Sequence, residues 1–149
     1  MKISPEEYLQ SGKKKHKYNA KTCWYFPKED ILREQPPLEG KNLEHWKESC
    51  KKSGAIRFPS LKEALRYLDL KLLEKAGEIA NLELQPVLPL IVNEREITPR
   101  GFKIDFKYTR KEGPHQIVYE DTKGFETPEF KIKWALVKAL YPQYEFIKS

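Results

Sequence analysis

The sequence predicts an α/β (α+β) fold, a mixed sheet flanked by helices in the order helix, strand, strand, strand, helix, strand, and three observations carry that prediction. Leu61, Leu65, Leu68 and Leu72 recur at helical spacing between Ser60 and Gly77. The stretch GFKIDFKYT alternates apolar and polar residues without interruption. Thr127-Pro128 opens a second apolar periodic run, which Pro142 closes.

Each element has a local reason. Ser60 is a plausible N-cap and Gly77 a plausible C-cap for SLKEALRYLDLKLLEKAG, an amphipathic helix. Next, Leu82 and Leu84, then Leu88 and Leu90 across Pro86, alternate with Glu83, Gln85 and Val87, which reads as a strand bulged or exposed at its proline. In GFKIDFKYT, Phe102, Ile104, Phe106 and Tyr108 share one face and Lys103, Asp105 and Lys107 the other, as in a half-buried strand. KEGPH is a turn, QIVYEDTK a third strand, EFKIKWALVKALY a helix, and YEFIK a short final strand.

The chain before Ser60 reads differently. Residues 1–22 are polar, with Lys13, Lys14, Lys15, Lys17 and Lys21 around His16 and Tyr18, so they form a basic N-terminal arm with nothing to pack. Residues 23–59 begin with Trp24-Tyr25-Phe26, pass through the turn signal PPLEG, and carry the short helical pattern NLEHWKESCKK, which stops at Ser53-Gly54. They read as an insertion or subdomain, leaving residues 60–149 as the core. A chain of 149 residues with 39% hydrophobic content buries one ordinary core.

The net charge of +6 is uneven: residues 1–59 hold 13 Lys/Arg against 8 Asp/Glu, and residues 60–149 hold 15 against 14. A basic chain is biased toward polyanions, because lysine and arginine contacts to phosphate supply most non-specific nucleic-acid affinity. Cys23 and Cys50 have no CxxC spacing, and there is no signal peptide, so neither a disulfide framework nor a structural zinc site is expected. A reducing, cytoplasmic compartment is the expectation. IANLELQPVLPLIV is interrupted by polar residues and two prolines, far from the roughly 20 apolar residues of a membrane span.

The chemistry centres on YEDTKG. Hydrolysing a phosphodiester needs a cation to neutralise the phosphate and lower the pKa of the attacking water, and magnesium takes one or two carboxylates plus a backbone carbonyl while keeping several waters. On a strand, Asp121 and Lys123 share a face and Glu120 points the other way. The triplet alone is weak, since five (D/E)-x-K matches begin at Glu39, Asp69, Asp105, Asp121 and Glu129. Those at Asp69 and Glu129 fall in helical patterns, where positions two apart diverge by about 200°, and Glu39 sits in a turn. If the strands carrying Asp105 and Asp121 are neighbours, the two acids form a carboxylate pair, costly without a cation between them. Otherwise Asp105 merely faces water between two lysines.

Glu63, Asp105, Asp121 and Lys123, in that order, resemble the motif set of the PD-(D/E)xK nuclease superfamily. More narrowly, KYNAK, FPSLKEALRYLDLKLLEKAGEI, LELQP and EDTKGFETPEFKIK are similar to a small bacteriophage-encoded family related to Holliday junction resolvases. The resemblance implies a restriction-endonuclease-like core and a magnesium-dependent endodeoxyribonuclease, with manganese able to substitute, acting on Holliday junctions or other branched DNA in phage recombination or genome processing. It further implies a homodimer in the cytoplasm of the host cell. Glu63, Asp105 and Asp121 would bind metal with the Thr122 carbonyl, Lys123 would position the water, Gln85 would line the site, and Lys133 would approach the DNA backbone. Residues 26–54 depart from that family, whose equivalent connection is much shorter.

Several of these residues have plainer readings. Glu63 stands three after Ser60, so it equally completes a capping box. Gln85 is also an ordinary exposed strand residue, and Lys131, Lys133 and Lys138 a solvated helix face. His16, His45 and His115 lack metal-like spacing, and Trp46 and Trp134 read as packing residues rather than base-stacking platforms. The alternative to an enzyme is a catalytically inactive nuclease-fold module for DNA binding or assembly, its affinity supplied by Lys13, Lys14, Lys15 and Lys17.

Overall fold

A computed structural model describes residues 21–114 and 116–149, so Lys13, Lys14, Lys15, His16, Lys17 and His115 lie outside the described residues. Contacts divide the chain into two units, residues up to Leu68 and residues from Asp69 onward.

In the first unit, strands β1 (Cys23–Phe26), β2 (Ile31–Glu34) and β3 (Ile56–Phe58) form an antiparallel sheet in the order β2-β1-β3. Helix α1 (Gly40–Lys52) crosses between β2 and β3 and ends at Ser53, whose hydroxyl donates to the Cys50 carbonyl, with Gly54 left-handed beyond it. The registers Trp24↔Arg33 and Trp24↔Arg57 put Trp24, Phe26, Arg33 and Arg57 on one sheet face. On that face the ring of Trp46 from α1 meets buried Trp24 edge-on at 5.6 Å. The other face presents Tyr25 and Phe58 to Tyr67. Both cysteines are free and buried, and desolvation pushes the Cys23 thiol up to about 11.

Helix α2 (Leu61–Ala76) starts in the first unit and ends in the second. The Ser60 hydroxyl accepts from the Glu63 N–H, and Gly77 turns left-handed after the last turn, as the capping signals predict. Its buried residues are Glu63, Ala64, Tyr67 and Leu70, whereas Leu72 is 66% exposed. The leucine stripe therefore does not mark the buried face, a correction to the periodicity reading.

The second unit is built on a four-stranded sheet in the order β11-β10-β9-β4, with β4 (Ile79–Leu84), β9 (Phe106–Arg110), β10 (Ile117–Asp121) and β11 (Glu145–Lys148). β4–β9 and β9–β10 are antiparallel, while β10 and β11 are parallel, joined through helix α3 (Pro128–Leu140). The chain is thus a mixed α+β protein with a mixed sheet and three described helices. Thr127 caps α3 through the Phe130 N–H, Pro128 supplies its first turn, and the helix stops before Pro142. Two small hairpins interrupt the sheet: β5 (Val87–Leu88) pairs with β8 (Phe102–Lys103), and β6 (Ile91–Val92) with β7 (Arg95–Glu96). The core cluster joins Leu88, Leu90, Phe102 and Ile104 to Tyr119, Phe130, Trp134 and Val137.

The alternating run of residues 102–108 is two strands rather than one. Phe102 and Ile104 pack in the cluster of Tyr119, but Phe106 and Tyr108 stand opposite Glu120 and Val118, on the other face of β10. The chain changes face at Asp105, where it leaves β8 and enters β9. Likewise the strand expected over Leu82–Leu90 breaks at Gln85-Pro86, with Gln85 left-handed at φ 51° and a register shift between Ala80 and Glu83. Among the described residues, no helix is long and apolar enough to cross a membrane.

Candidate active site

Sheet register assembles the second-unit candidates at one end of the sheet. The antiparallel pairs run Ile117↔Thr109 to Glu120↔Phe106, so Asp105, the residue before β9, and Asp121, the last of β10, lie next to this final pair. The β4–β9 register reaches Leu84↔Phe106, so Gln85 lies beside Asp105, and its N–H donates to the Asp105 carbonyl at 2.8 Å. On the far side, Lys148 of β11 pairs with Asp121. Gln85, Asp105, Asp121 and Lys148 thus form one row across four neighbouring strands.

The two acids are held differently. Asp105, at the bend entering β9, accepts on Oδ2 both the Thr122 N–H and the Thr122 hydroxyl, each at 2.7 Å. These charge-assisted bonds fix its carboxylate against the end of β10. Asp121 is 1% exposed, and its Oδ1 lies 3.6 Å from Lys123 Nζ. Burying a carboxylate is costly unless a cation or donors stand close, and Lys123 meets that requirement in part, at ion-pair rather than hydrogen-bond distance from Oδ1. β10 stops at Asp121, so Lys123 reaches its partner from the following turn rather than by strand alternation. Its ammonium also lies 5.0 Å from the centre of the Phe130 ring, a cation–π contact that orients it above the first turn of α3.

Each remaining candidate has its own setting. Gln85 is exposed. Lys133 donates to Glu129 one turn away at 2.7 Å, and that bond holds the Glu129 carboxyl below its usual range. Lys148 Nζ donates to Glu126 Oε1 at 2.6 Å, tying β11 to the segment before α3. Glu63 belongs to the first unit, where it is buried in the opening turn of α2. Among the described residues, no three His, Cys, Asp or Glu side chains form a group able to hold a metal ion by themselves.

Sequence reasoning missed Glu120. Alternation correctly turns it away from Asp121, but it is fully buried, with Tyr108 OH donating to its Oε2 at 2.8 Å. The signal was a tyrosine at the matching parity on the preceding strand, usable only once the register is known. Lys148 was missed for the same reason, since parallel pairing across α3 brings it opposite Asp121.

No curated protein and no solved structure matches the chain. One family model, "Protein of unknown function (DUF1064)", matches residues 47–148, which includes every element from β3 to β11 together with the Gln85–Asp105–Asp121–Lys123 constellation. Because that match spans well over half of the sequence, the chain belongs to the DUF1064 family.

Proposed function

We propose that this chain is a magnesium-dependent endodeoxyribonuclease of the PD-(D/E)xK type with a restriction-endonuclease-like core, acting on Holliday junctions or other branched DNA. The observation that carries the reading is that Asp105 and Asp121 stand at the same end of the β9–β10 pair, with Thr122 donating to Asp105 and Lys123 Nζ 3.6 Å from Asp121. Two fixed carboxylates and the Thr122 carbonyl supply the hard oxygen donors magnesium takes while keeping its remaining waters, so this donor set fits the ion, and manganese as a substitute. Bound there, the ion would neutralise the scissile phosphate and lower the pKa of the attacking water. Lys123 would orient that water and contact the phosphate. Thr122 holds Asp105 in register with Asp121. Gln85 would line the site beside Asp105, and Lys133 would meet the DNA backbone.

A junction presents two equivalent strands, so a two-fold homodimer is the natural form of such an enzyme. The proposed setting is phage recombination or genome processing in the cytoplasm of the host cell, with Lys13, Lys14, Lys15 and Lys17 adding contacts to phosphate.

The test is to incubate the protein with a four-way junction, a flap and a linear duplex, in magnesium or in EDTA, beside Asp121→Ala. Magnesium-dependent cleavage is expected, reduced at least about 100-fold in the variant, as for other groups that stabilise developing charge. Binding without magnesium-dependent cleavage on every substrate would leave the inactive DNA-binding or assembly module as the correct description.

A further inference from the structure

The first unit carries a second site. Its sheet face bearing Trp24, Phe26, Arg33 and Arg57 is only partly covered by α1, and between them lies a cavity of about 230 Å³. Phe26, Trp46, Arg33, Glu29, Ser49 and Ser53 line it. The two aromatic residues are half-buried, and the Arg33 guanidinium stands 5.2 Å from the centre of the Phe26 ring. Trp46 is braced from behind by its edge-on contact with Trp24.

These groups favour one class of ligand. Aromatic walls and a guanidinium plane stack on a flat, electron-poor ring, while two hydroxyls and a carboxylate offer hydrogen bonds to its polar edge. The volume lies below the roughly 300 Å³ at which sites for drug-sized ligands begin, which suits a single ring system. Arg57 pairs with Trp24 on the side away from Arg33, so the same face carries a second cation for the phosphates next to such a ring. Glu29 would repel a phosphate inside the cavity, which directs the base inward and the backbone outward.

We infer that this cavity takes an unpaired nucleobase of a DNA strand, with Arg33 stacked on the base and Arg57 meeting the adjoining phosphates. The identity of the polymer rests on the nuclease reading above, while the cavity itself is separate from the carboxylate row. A base in continuous duplex is held in its stack and cannot enter; an unpaired base at a branch, flap or loop can. Phe26, Glu29, Arg33 and Trp46 all precede the family match at residue 47, so this selection by DNA shape is an addition to the matched core. Of the two tryptophans read as packing residues, Trp134 is buried in the core cluster, whereas Trp46 presents a face to the cavity.

The test uses the full chain in EDTA, where no cleavage occurs, with a short single-stranded oligodeoxynucleotide, its blunt duplex and free dAMP as probes. Arg33→Gln and Trp46→Leu should each weaken single-strand binding by about tenfold, the effect of losing one stacked base, while duplex affinity changes little. Arg33 is exposed, so its variant keeps the fold if Trp46→Leu does not. Unchanged single-strand affinity in Arg33→Gln would overturn the inference, as would equal losses on both DNA forms, the mark of a general phosphate contact. dAMP competing as well as the strand would instead make this a mononucleotide site and also overturn it. Selective single-strand binding by a chain that cleaves nothing would refute the nuclease reading and leave this site standing.

Discussion

Thr122→Val isolates the hydrogen bond that holds Asp105 against Asp121. The hydroxyl and the backbone N–H of Thr122 both donate to Asp105 Oδ2 at 2.7 Å, and valine removes only the first. Both side chains are β-branched and of similar size, so the rotamer and the packing of this buried position are retained. Hydrogen bonds to charged groups are worth about 1.5–3 kcal/mol, and the half-buried Asp105 argues for the lower end, about 1.5 kcal/mol. For a chain of this length that lowers the melting temperature by roughly 3–6 °C. Under the proposed chemistry the same change lets the Asp105 carboxylate swing, and losing a partner that orients a metal ligand typically costs about 10–100-fold in metal affinity or activity. Urea unfolding followed by circular dichroism, together with magnesium titration of cleavage, measures both effects. Thr122→Ser keeps the hydroxyl and should recover most of each. A valine variant as stable as the parent, with the serine variant no better, would show that the hydroxyl does not bind Asp105 in solution.

Two further outcomes follow from buried or bridging polar groups. Tyr108→Phe withdraws the phenol from fully buried Glu120 and should cost about 2 kcal/mol in urea unfolding, because a desolvated carboxylate loses a close donor; a loss below about 0.5 kcal/mol would mean that water or another donor replaces it at once. The Glu74 carboxyl is held below the usual carboxylate range, first by its bond from Lys71 and then by the Leu82 N–H at the irregular part of β4. A depressed folded pKa contributes stability that is present above the unfolded value and is lost as pH falls through the folded one. Glu74→Gln should therefore be less stable by about 1 kcal/mol at neutral pH, where solvent screens the Lys71 pair, and indistinguishable from the parent in strong acid. A difference that persists at low pH would assign the effect to packing.

Local signals placed the element ends and misjudged the elements that depend on distant partners. Ser60, Gly77, Thr127-Pro128 and Pro142 act on backbone groups within a turn of themselves, and both helices begin and end where these residues put them. The alternation of residues 102–108 was visible, but the change of face at Asp105 was not, because it arises where β8 pairs with β5 and β9 with β4 and β10. The β6–β7 hairpin escaped notice because its turn is Asn93-Glu94, both left-handed, instead of the Asn-Gly or Asp-Gly pair that usually announces this geometry. In α2 the leucines are conspicuous, yet the inward face includes Glu63, an acid that no scale of hydrophobicity would bury.

The weight of the D-x-K triplet likewise comes from pairing. Of the five matches, Glu39 immediately precedes α1, Asp69-x-Lys71 lies within α2 and Glu129-x-Lys131 within α3, while Asp105 leads into β9 and Asp121 ends the neighbouring β10. Both contribute an aspartate to the row, but their lysines diverge. Lys107 donates to Glu83 across the β4–β9 pair at 2.8 Å, and that bond raises its pKa, whereas Lys123 turns back to Asp121 and rests over Phe130. The two matches therefore bring two carboxylates and one lysine to the site. Glu120, the other acid of YEDTKG, is withdrawn to the opposite face by the alternation that brings Asp121 forward. β10 is buried along both faces, so polarity alone could not have separated the two acids. What separates them is the partner each meets, a phenol for Glu120 and a cation for Asp121.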